Sequence, residues 1–132
     1  MDINGLVKEH LRQAEECIVA AQETANLGLN KASANRSYYA ILNAIRAILA
    51  KSCFDSKKHS ALISQFRQRY IKTGIFDSRF SDVIRDAFEA RNSSDYATFY
   101  EISDIEVAEH LANAKEFVGV VTEYLTDIFA KS

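Results

Sequence analysis

Apolar residues recur at spacings of three and four along most of the chain, which is the pattern of amphipathic helices. The pattern predicts long helices over residues 3–27, 31–52 and 104–129. A shorter helix is predicted over residues 58–72, and another begins near residue 78 and ends between residues 93 and 96. The last helix has the longest uninterrupted period, with acidic residues on its outer face.

Short breaks separate these segments. Gly28 is predicted to end the first helix and Gly74 the third, because glycine adopts the left-handed conformation without steric penalty. Ser103 and Glu106 have the spacing of a capping box, which predicts the start of the last helix. Four long helices and one short one, joined by short links, imply an all-α fold: an antiparallel up-and-down four-helix bundle with an additional short helix.

Composition agrees with this architecture. The 132 residues include no proline and four glycines, as long helices favour, and their number suits a single domain over residues 1–132. No apolar run reaches the roughly 18 to 20 residues of a membrane span, and no signal-peptide pattern begins the chain. We therefore expect a cytoplasmic protein with no membrane partner. Cys17 and Cys53 are far apart and form no C-x-x-C, so we interpret them as structural thiols.

The formal net charge of −2 is unevenly distributed. Residues 1–50 are neutral in sum, residues 51–91 carry a net +4, and residues 92–132 carry a net −6. A basic middle and an acidic end can attract each other within the fold or across an oligomer. Free nucleic acid would be drawn only to the middle segment.

The most unusual position is Arg91, which continues the apolar stripe of the fourth helix where an aliphatic residue would be expected. An unpaired buried charge is costly, and Asp95, one helical turn later, is the nearest candidate partner. Two interpretations are open. The pair is a structural contact that fixes how this helix meets its neighbours, or Arg91, Asp95 and Tyr96 form a polar site in an otherwise apolar bundle.

Other polar candidates lie on the second and third helices. One ring of the Tyr38-Tyr39 pair is expected in the core and the other towards a neighbour, so at least one hydroxyl needs a hydrogen-bond partner. Arg46 is unusual within an apolar run; it is either solvated or joined to Asn43. His59, which follows two lysines, is the histidine best placed to contact an anion, although a packed or water-facing imidazole is the simpler interpretation.

Motifs for cofactors and metals are missing. The sequence contains neither G-x-x-x-x-G-K-[ST] nor G-x-G-x-x-G, so a glycine loop that cradles phosphate is not predicted. A di-metal site in a helical bundle needs Glu-x-x-His on two helices, and the acidic segment over residues 106–110 cannot supply both. We therefore expect no cofactor and no metal.

Three segments together resemble the HEPN family (higher eukaryotes and prokaryotes nucleotide-binding domain), in particular its small stand-alone prokaryotic branch. They are NRSYYAILNAIRAIL at 35–49, KHSALISQFRQRYIKTG at 58–74 and ARNSSDY at 90–96, and the resemblance continues through AKEFV at 114–118. The segments follow one another in the order of the family and together span nearly the whole chain. It implies an antiparallel helical bundle that usually forms a homodimer and is encoded beside a minimal nucleotidyltransferase in a toxin–antitoxin-like system.

The resemblance also implies a chemistry. Many HEPN domains are metal-independent ribonucleases that carry Arg, then four to six residues, then His. Arg91 occupies the arginine position, but these spacings reach Tyr96, Ala97 and Thr98, so the histidine is missing. Proton transfer at the ribose 2′-OH suits an imidazole, whereas a phenol with a pKa of about 10 is a poor base at neutral pH. We expect weak or no cleavage through this motif unless His59 or another residue supplies the proton transfer.

Three functions remain open. The first is a dimeric module that binds RNA, a nucleotide or the nucleotidyltransferase in a groove formed by Arg91, Asp95 and Tyr96. The second is an active ribonuclease toxin that uses these residues and His59, and the third is a structural bundle whose polar motif only stabilises the dimer. The resemblance also permits Tyr96 as the acceptor of a nucleotide from the partner transferase. Ligand-binding residues are expected on the basic third helix: Lys58, Arg67 and Arg69.

Overall fold

The computed structural model describes residues 3–131 and contains helices close to the predicted positions. The helices are α1 (Ile3–Asn26), α2 (Asn30–Lys51), α3 (His59–Phe66), α4 (Arg79–Tyr96) and α5 (Asp104–Lys131). No strand is present in these residues, which confirms the all-α prediction. None of the described helices has both the length and the apolarity needed to cross a bilayer.

Helix α2 is the centre of the bundle. Fourteen of its 22 residues are buried, and it packs against α1, α3, α4 and α5. Such a helix is apolar almost all round, because every face meets another element. A polar side chain on α2 is therefore placed between helices, where it needs a partner.

The ends of the helices follow the predicted signals. Gly28 and Gly74 have φ angles of +75° and +79°, so each takes the left-handed conformation that the sequence suggested. Ser103 Oγ accepts a hydrogen bond of 3.2 Å from the backbone N of Glu106, as in a capping box. The predicted attraction between the basic middle and the acidic end includes an ion pair between Arg79 and Glu116.

The third helix differs from the prediction. Helix α3 ends at Phe66, and Arg67–Ile71 form one π-helical turn in which Lys72 N donates to Arg67 O at 2.9 Å. Arg67 is anchored to α4, since its Nε donates to Ser81 Oγ at 2.9 Å. Single π turns often occur at functional sites. Hydrophobic spacing over five residues cannot distinguish a π turn from an α-helical turn, which is why the sequence predicted one continuous helix.

An aromatic cluster fills the core beside α3 and α5. Phe66 lies 5.7 Å from Phe76 and 5.4 Å from Phe117, and Phe80 lies 5.6 Å from Phe117, measured between ring centroids. We call Phe66, Phe76, Phe80 and Phe117 the aromatic core. Phe76 lies in the link before α4 and Phe80 in the first turn of α4, and both are buried.

Candidate functional site

Arg91 lies near the end of α4 with only 16% of its side chain exposed. Its guanidinium carbon is 5.3 Å from the ring centroid of Tyr38, 5.5 Å from that of Tyr39 and 6.0 Å from that of Tyr96. Nη2 also donates a hydrogen bond of 3.0 Å to Tyr39 Oη. The electron-rich ring faces attract the cation, and this attraction offsets part of its desolvation.

Asp95 takes the predicted partner position. Its Oδ2 lies 3.2 Å from Arg91 Nε, and Asn35 Nδ2 lies 3.2 Å from the same oxygen and 3.4 Å from Oδ1. The buried Nε–H of Arg91 is nevertheless without a directed hydrogen bond, so this pair is a contact of charges with poor alignment. Among the described residues, only Tyr39 accepts a hydrogen bond from the five N–H groups of this guanidinium. The buried Nε–H faces Asp95, and the remaining Nη N–H groups have no acceptor within the described part of the chain.

His59, in the first turn of α3, joins the same group of side chains. Its Nδ1 lies 3.0 Å from Tyr38 Oη, and its ring centroid lies 5.8 Å from that of Tyr39. Burial and the charges of Arg46 and Arg91 lower the pKa of His59, so the imidazole is neutral at neutral pH. Burial raises the pKa of Tyr38 to about 12, so its hydroxyl stays protonated and either donates to Nδ1 or accepts from it.

These contacts define the Arg91 cluster, which consists of Asn35, Tyr38, Tyr39, His59, Arg91 and Asp95. The structure brings together the predicted residues Arg91, Asp95 and His59, which come from two helices. Sequence reasoning noted the tyrosine pair but did not connect it to Arg91, and it missed Asn35. The available signal was the i, i+4 spacing of Asn35 and Tyr39, which places an amide and a phenol on one face of α2.

The cluster opens to solvent on the side of Tyr96. Tyr96 is 72% exposed and covers Arg91 only partly. Phe88 on α4 is 37% exposed, and its ring centroid lies 5.9 Å from that of Tyr38. Tyr96 therefore borders the guanidinium on the outside, and Phe88 extends the aromatic surface beside Tyr38.

A cavity of about 340 Å³ lies between α4 and the segment made of α3 and the π turn. Because Phe88 lines this cavity and also contacts Tyr38, the cavity borders the Arg91 cluster. Arg67 and Lys72 give it a positive lining, whereas Arg85, which also lines it, is paired with Asp82 and Asp86. We call this cavity the basic groove. Its lining residues are Ser60, Ile63, Ser64, Arg67, Gln68, Lys72, Ile84, Arg85 and Phe88.

The three predicted ligand-binding residues do not share one surface. Lys58 is exposed directly before His59, and Arg67 lines the basic groove. Arg69 lies elsewhere: its Nη1 donates to Ser52 Oγ at 2.9 Å, and its guanidinium is 5.3 Å from the ring of Phe54. Arg67 and Arg69 both belong to the π turn but contact different neighbours, so the structure brings only Lys58 and Arg67 to the region of the cluster.

Comparison with known sequences finds similarity across these helices. The family model described as HEPN domain matches residues 7–124. A UPF0332 protein of Thermotoga maritima is 25% identical over 89% of this chain and 89% of its own length. A Methanocaldococcus jannaschii protein with "Putative toxin" in its name is 26% identical over 87% of this chain and 78% of its own length. A UPF0332 protein of Archaeoglobus fulgidus is 31% identical over 82% of this chain and 86% of its own length.

Proposed function

This chain belongs to the HEPN domain family, and we propose that it is a toxin-like, RNA-binding partner of a minimal nucleotidyltransferase. The observation that carries the proposal is Arg91, a largely buried guanidinium that is bordered by tyrosine rings and lies beside the exposed Tyr96 at the end of α4; among the described residues, its Nη groups donate to Tyr39 alone. Arginine binds phosphate through paired N–H groups, and partial burial strengthens that contact. RNA phosphate is thus the ligand that this arrangement fits.

The surroundings of Arg91 favour single-stranded RNA over a free nucleotide. Unpaired bases stack on aromatic side chains, and two partly exposed rings are offered here: Tyr96 beside the guanidinium and Phe88 against Tyr38. The basic groove begins at Phe88 and supplies Arg67 and Lys72 for a neighbouring phosphate. A mononucleotide would occupy the Arg91 end alone, whereas a strand contacts both parts.

The partnership with a nucleotidyltransferase rests on the family resemblance, and the toxin names of two relatives support it. The exposed Tyr96 hydroxyl is an accessible acceptor for such an enzyme. Its oxygen would attack the α-phosphate of a nucleoside triphosphate, lose its proton and form a phosphodiester as pyrophosphate leaves. The added phosphate would then compete with RNA for Arg91. Mass spectrometry after co-expression with the transferase tests this, and an unshifted mass of the chain would count against it.

A homodimer is part of the same proposal. Phe99 and Ile105, which lie on both sides of the start of α5, are 95% and 73% exposed. Large exposed apolar side chains close together often mark an interface. Light scattering should give twice the chain mass for the native protein and a smaller mass for Phe99→Ser; a native monomer would contradict this part of the proposal.

Fluorescence anisotropy with a labelled single-stranded RNA tests the central proposal. We expect Arg91→Gln to weaken binding by about tenfold or more, the loss expected when a charge-assisted phosphate contact is removed. The matched control is Arg12→Gln, because Arg12 is an exposed arginine on α1 that pairs with Glu9 and Glu16. Equal effects of the two substitutions, or no RNA binding by the native chain, would contradict the proposal.

A metal-independent ribonuclease is the second candidate, and the position of His59 favours it. Neutral His59 would take the proton of the ribose 2′-OH, whose oxygen attacks the phosphorus. The departing 5′ oxygen leaves with a proton from water, a 2′,3′-cyclic phosphate forms, and Arg91 stabilises the charge on the phosphoryl oxygens. Cleavage in EDTA should be lost in both Arg91→Gln and His59→Gln and kept in His10→Gln. Cleavage that survives His59→Gln would refute this role.

A further inference from the structure

A second cavity, of about 380 Å³, lies between the first turns of α1, the last turns of α2 and the loop that follows α2. We call it the Arg46 cavity. Most of its wall is apolar, and three ionisable side chains interrupt that wall: Arg46, His10 and Asp55. Its lining residues are Ile3, Leu6, His10, Arg46, Ala50, Cys53, Phe54 and Asp55.

Two of the side chains that line this cavity each carry a buried polar atom with no hydrogen-bond partner among the described residues. These atoms are Nε of Arg46 and Nδ1 of His10. The network between Arg46 and Asn43 that the sequence suggested is not formed within residues 3–131: Arg46 Nε has no hydrogen-bond partner, and Asn43 Nδ2 donates instead to the backbone O of Tyr39 at 2.9 Å. A buried donor without an acceptor is destabilising, and a cationic one more so. The buried Nε–H of Arg46 therefore has no acceptor in the described part of the chain.

We propose that the Arg46 cavity binds a small carboxylic acid with an apolar body. A carboxylate matches the planar fork of the Arg46 guanidinium, and the N–H of neutral His10 can donate to the same group. The apolar body would lie against Leu6, Ala50 and Phe54. The volume lies within the range of small-molecule sites, which are mostly apolar with a few polar groups that fix orientation.

The charge of the cavity favours one negative charge over two. Asp55 lines the same cavity as Arg46, and it would repel a phosphate dianion more strongly than a monocarboxylate. The aromatic wall is also held in place from outside. Arg69 lies over Phe54 and hydrogen-bonds Ser52, so it links the π turn to the loop that closes the cavity.

Proton–nitrogen NMR of the full chain tests the binding with two probes, phenylacetate and its neutral counterpart 2-phenylethanol. We expect phenylacetate to shift the amides of His10, Arg46 and Phe54 to saturation. Phenylethanol should bind about tenfold or more weakly, because it cannot form the charge-assisted pair. Equal affinities, shifts elsewhere on the chain or no shifts at all would overturn the proposal.

Substitutions separate the contribution of the Arg46 charge to binding from that of the cavity volume. Arg46→Gln should lower phenylacetate affinity to that of phenylethanol, whereas Asp55→Asn should raise it. Arg36→Gln is the matched control on α2, since Arg36 hydrogen-bonds Asn35 and lies outside the cavity. Leu6→Trp keeps every charge and fills the cavity, so it should block both probes. The proposal would be overturned if folded Arg46→Gln bound phenylacetate as well as the native chain does. If Arg46→Gln does not fold, unchanged phenylacetate binding by Leu6→Trp would overturn it instead. No RNA enters these measurements, so their failure is distinct from failure of the proposed function.

Discussion

Two groups of aromatic side chains in this bundle differ in what their rings surround. In the aromatic core, Phe66 and Phe117 are fully buried and contact other rings. In the Arg91 cluster, Tyr38 is as deeply buried, but it and Tyr39 border a guanidinium and a histidine near solvent. Rings that contact only apolar groups stabilise the fold. Rings arranged around a cation with unused donors create a place for an anion.

A purely structural role explains Arg91 poorly. Replacing a buried ion pair by apolar residues of similar volume is often neutral or stabilising. The Arg91–Asp95 pair is poorly aligned, and an aliphatic residue at position 91 would complete the apolar stripe of α4. Stability alone therefore gives little reason for an arginine here, whereas phosphate binding gives a direct one.

The largest expected effect is on stability and comes from the aromatic core. Phe117→Ala should lower the free energy of unfolding by about 3 to 5 kcal/mol, because it removes a fully buried ring and leaves a cavity. Urea unfolding measures this loss. RNA affinity of the protein that remains folded should be unchanged; a loss of affinity without a loss of stability would reverse the roles of the two regions.

The reciprocal change is Arg91→Met, which should affect binding more than stability. We expect RNA affinity to fall by about tenfold or more and the free energy of unfolding to change by less than about 1 kcal/mol. Anisotropy and urea unfolding on the same samples measure both. If Arg91 only stabilises the bundle or its dimer, the melting temperature will fall and ligand binding will stay intact.

A smaller effect should follow from Tyr39→Phe. This substitution keeps the ring and removes the oxygen that accepts a hydrogen bond from Arg91 Nη2. Looser positioning of the guanidinium should weaken RNA binding by about 0.5 to 1.5 kcal/mol, the usual net value of one hydrogen bond. Tyr70→Phe beside the aromatic core is the matched control and should leave RNA affinity unchanged. Equal losses of RNA affinity in the two variants would mean that Tyr39 does not position Arg91 for RNA binding.

The smallest effect concerns pH. The pKa values of His59 and His10 are lowered in the fold, chiefly by burial, so the unfolded chain binds more protons than the native chain in mildly acidic solution. The free energy of unfolding should therefore fall as the pH drops through about 6.5 towards the native pKa values. Urea unfolding across this range should show a weaker pH dependence for His59→Gln. An unchanged dependence would mean that His59 does not contribute.

The sequence was sufficient for the helices and for part of the site. Hydrophobic period and two glycines placed the helix ends within a few residues, and the i, i+4 spacing predicted the contact between Arg91 and Asp95. The hydrogen bond between Arg91 and Tyr39 joins residues 52 positions apart, so no local spacing encodes it. The same is true of the contact between His59 and Tyr38, which depends on how α2 and α3 pack.

Arg46 shows a different limit of sequence reasoning. Its position within an apolar run marked it as unusual, but the predicted partner, Asn43, forms no hydrogen bond with it among the described residues and donates to Tyr39 O instead. Helical spacing predicts which residues share a face. It does not predict that Arg46 lines a cavity with His10 and Asp55, since that depends on the approach of α1 and of the loop after α2.

The most direct test of the central claim observes the guanidinium itself. The side-chain Nε–H resonance of Arg91 can be followed by proton–nitrogen NMR while single-stranded RNA is added, with the Arg12 resonance as an internal reference. If RNA phosphate binds at the cluster, the Arg91 signal should shift and the Arg12 signal should stay in place. The Arg91 shift should reach its maximum at the same RNA concentration as the anisotropy. RNA binding that leaves the Arg91 signal unmoved would contradict the claim that this cluster is the binding site.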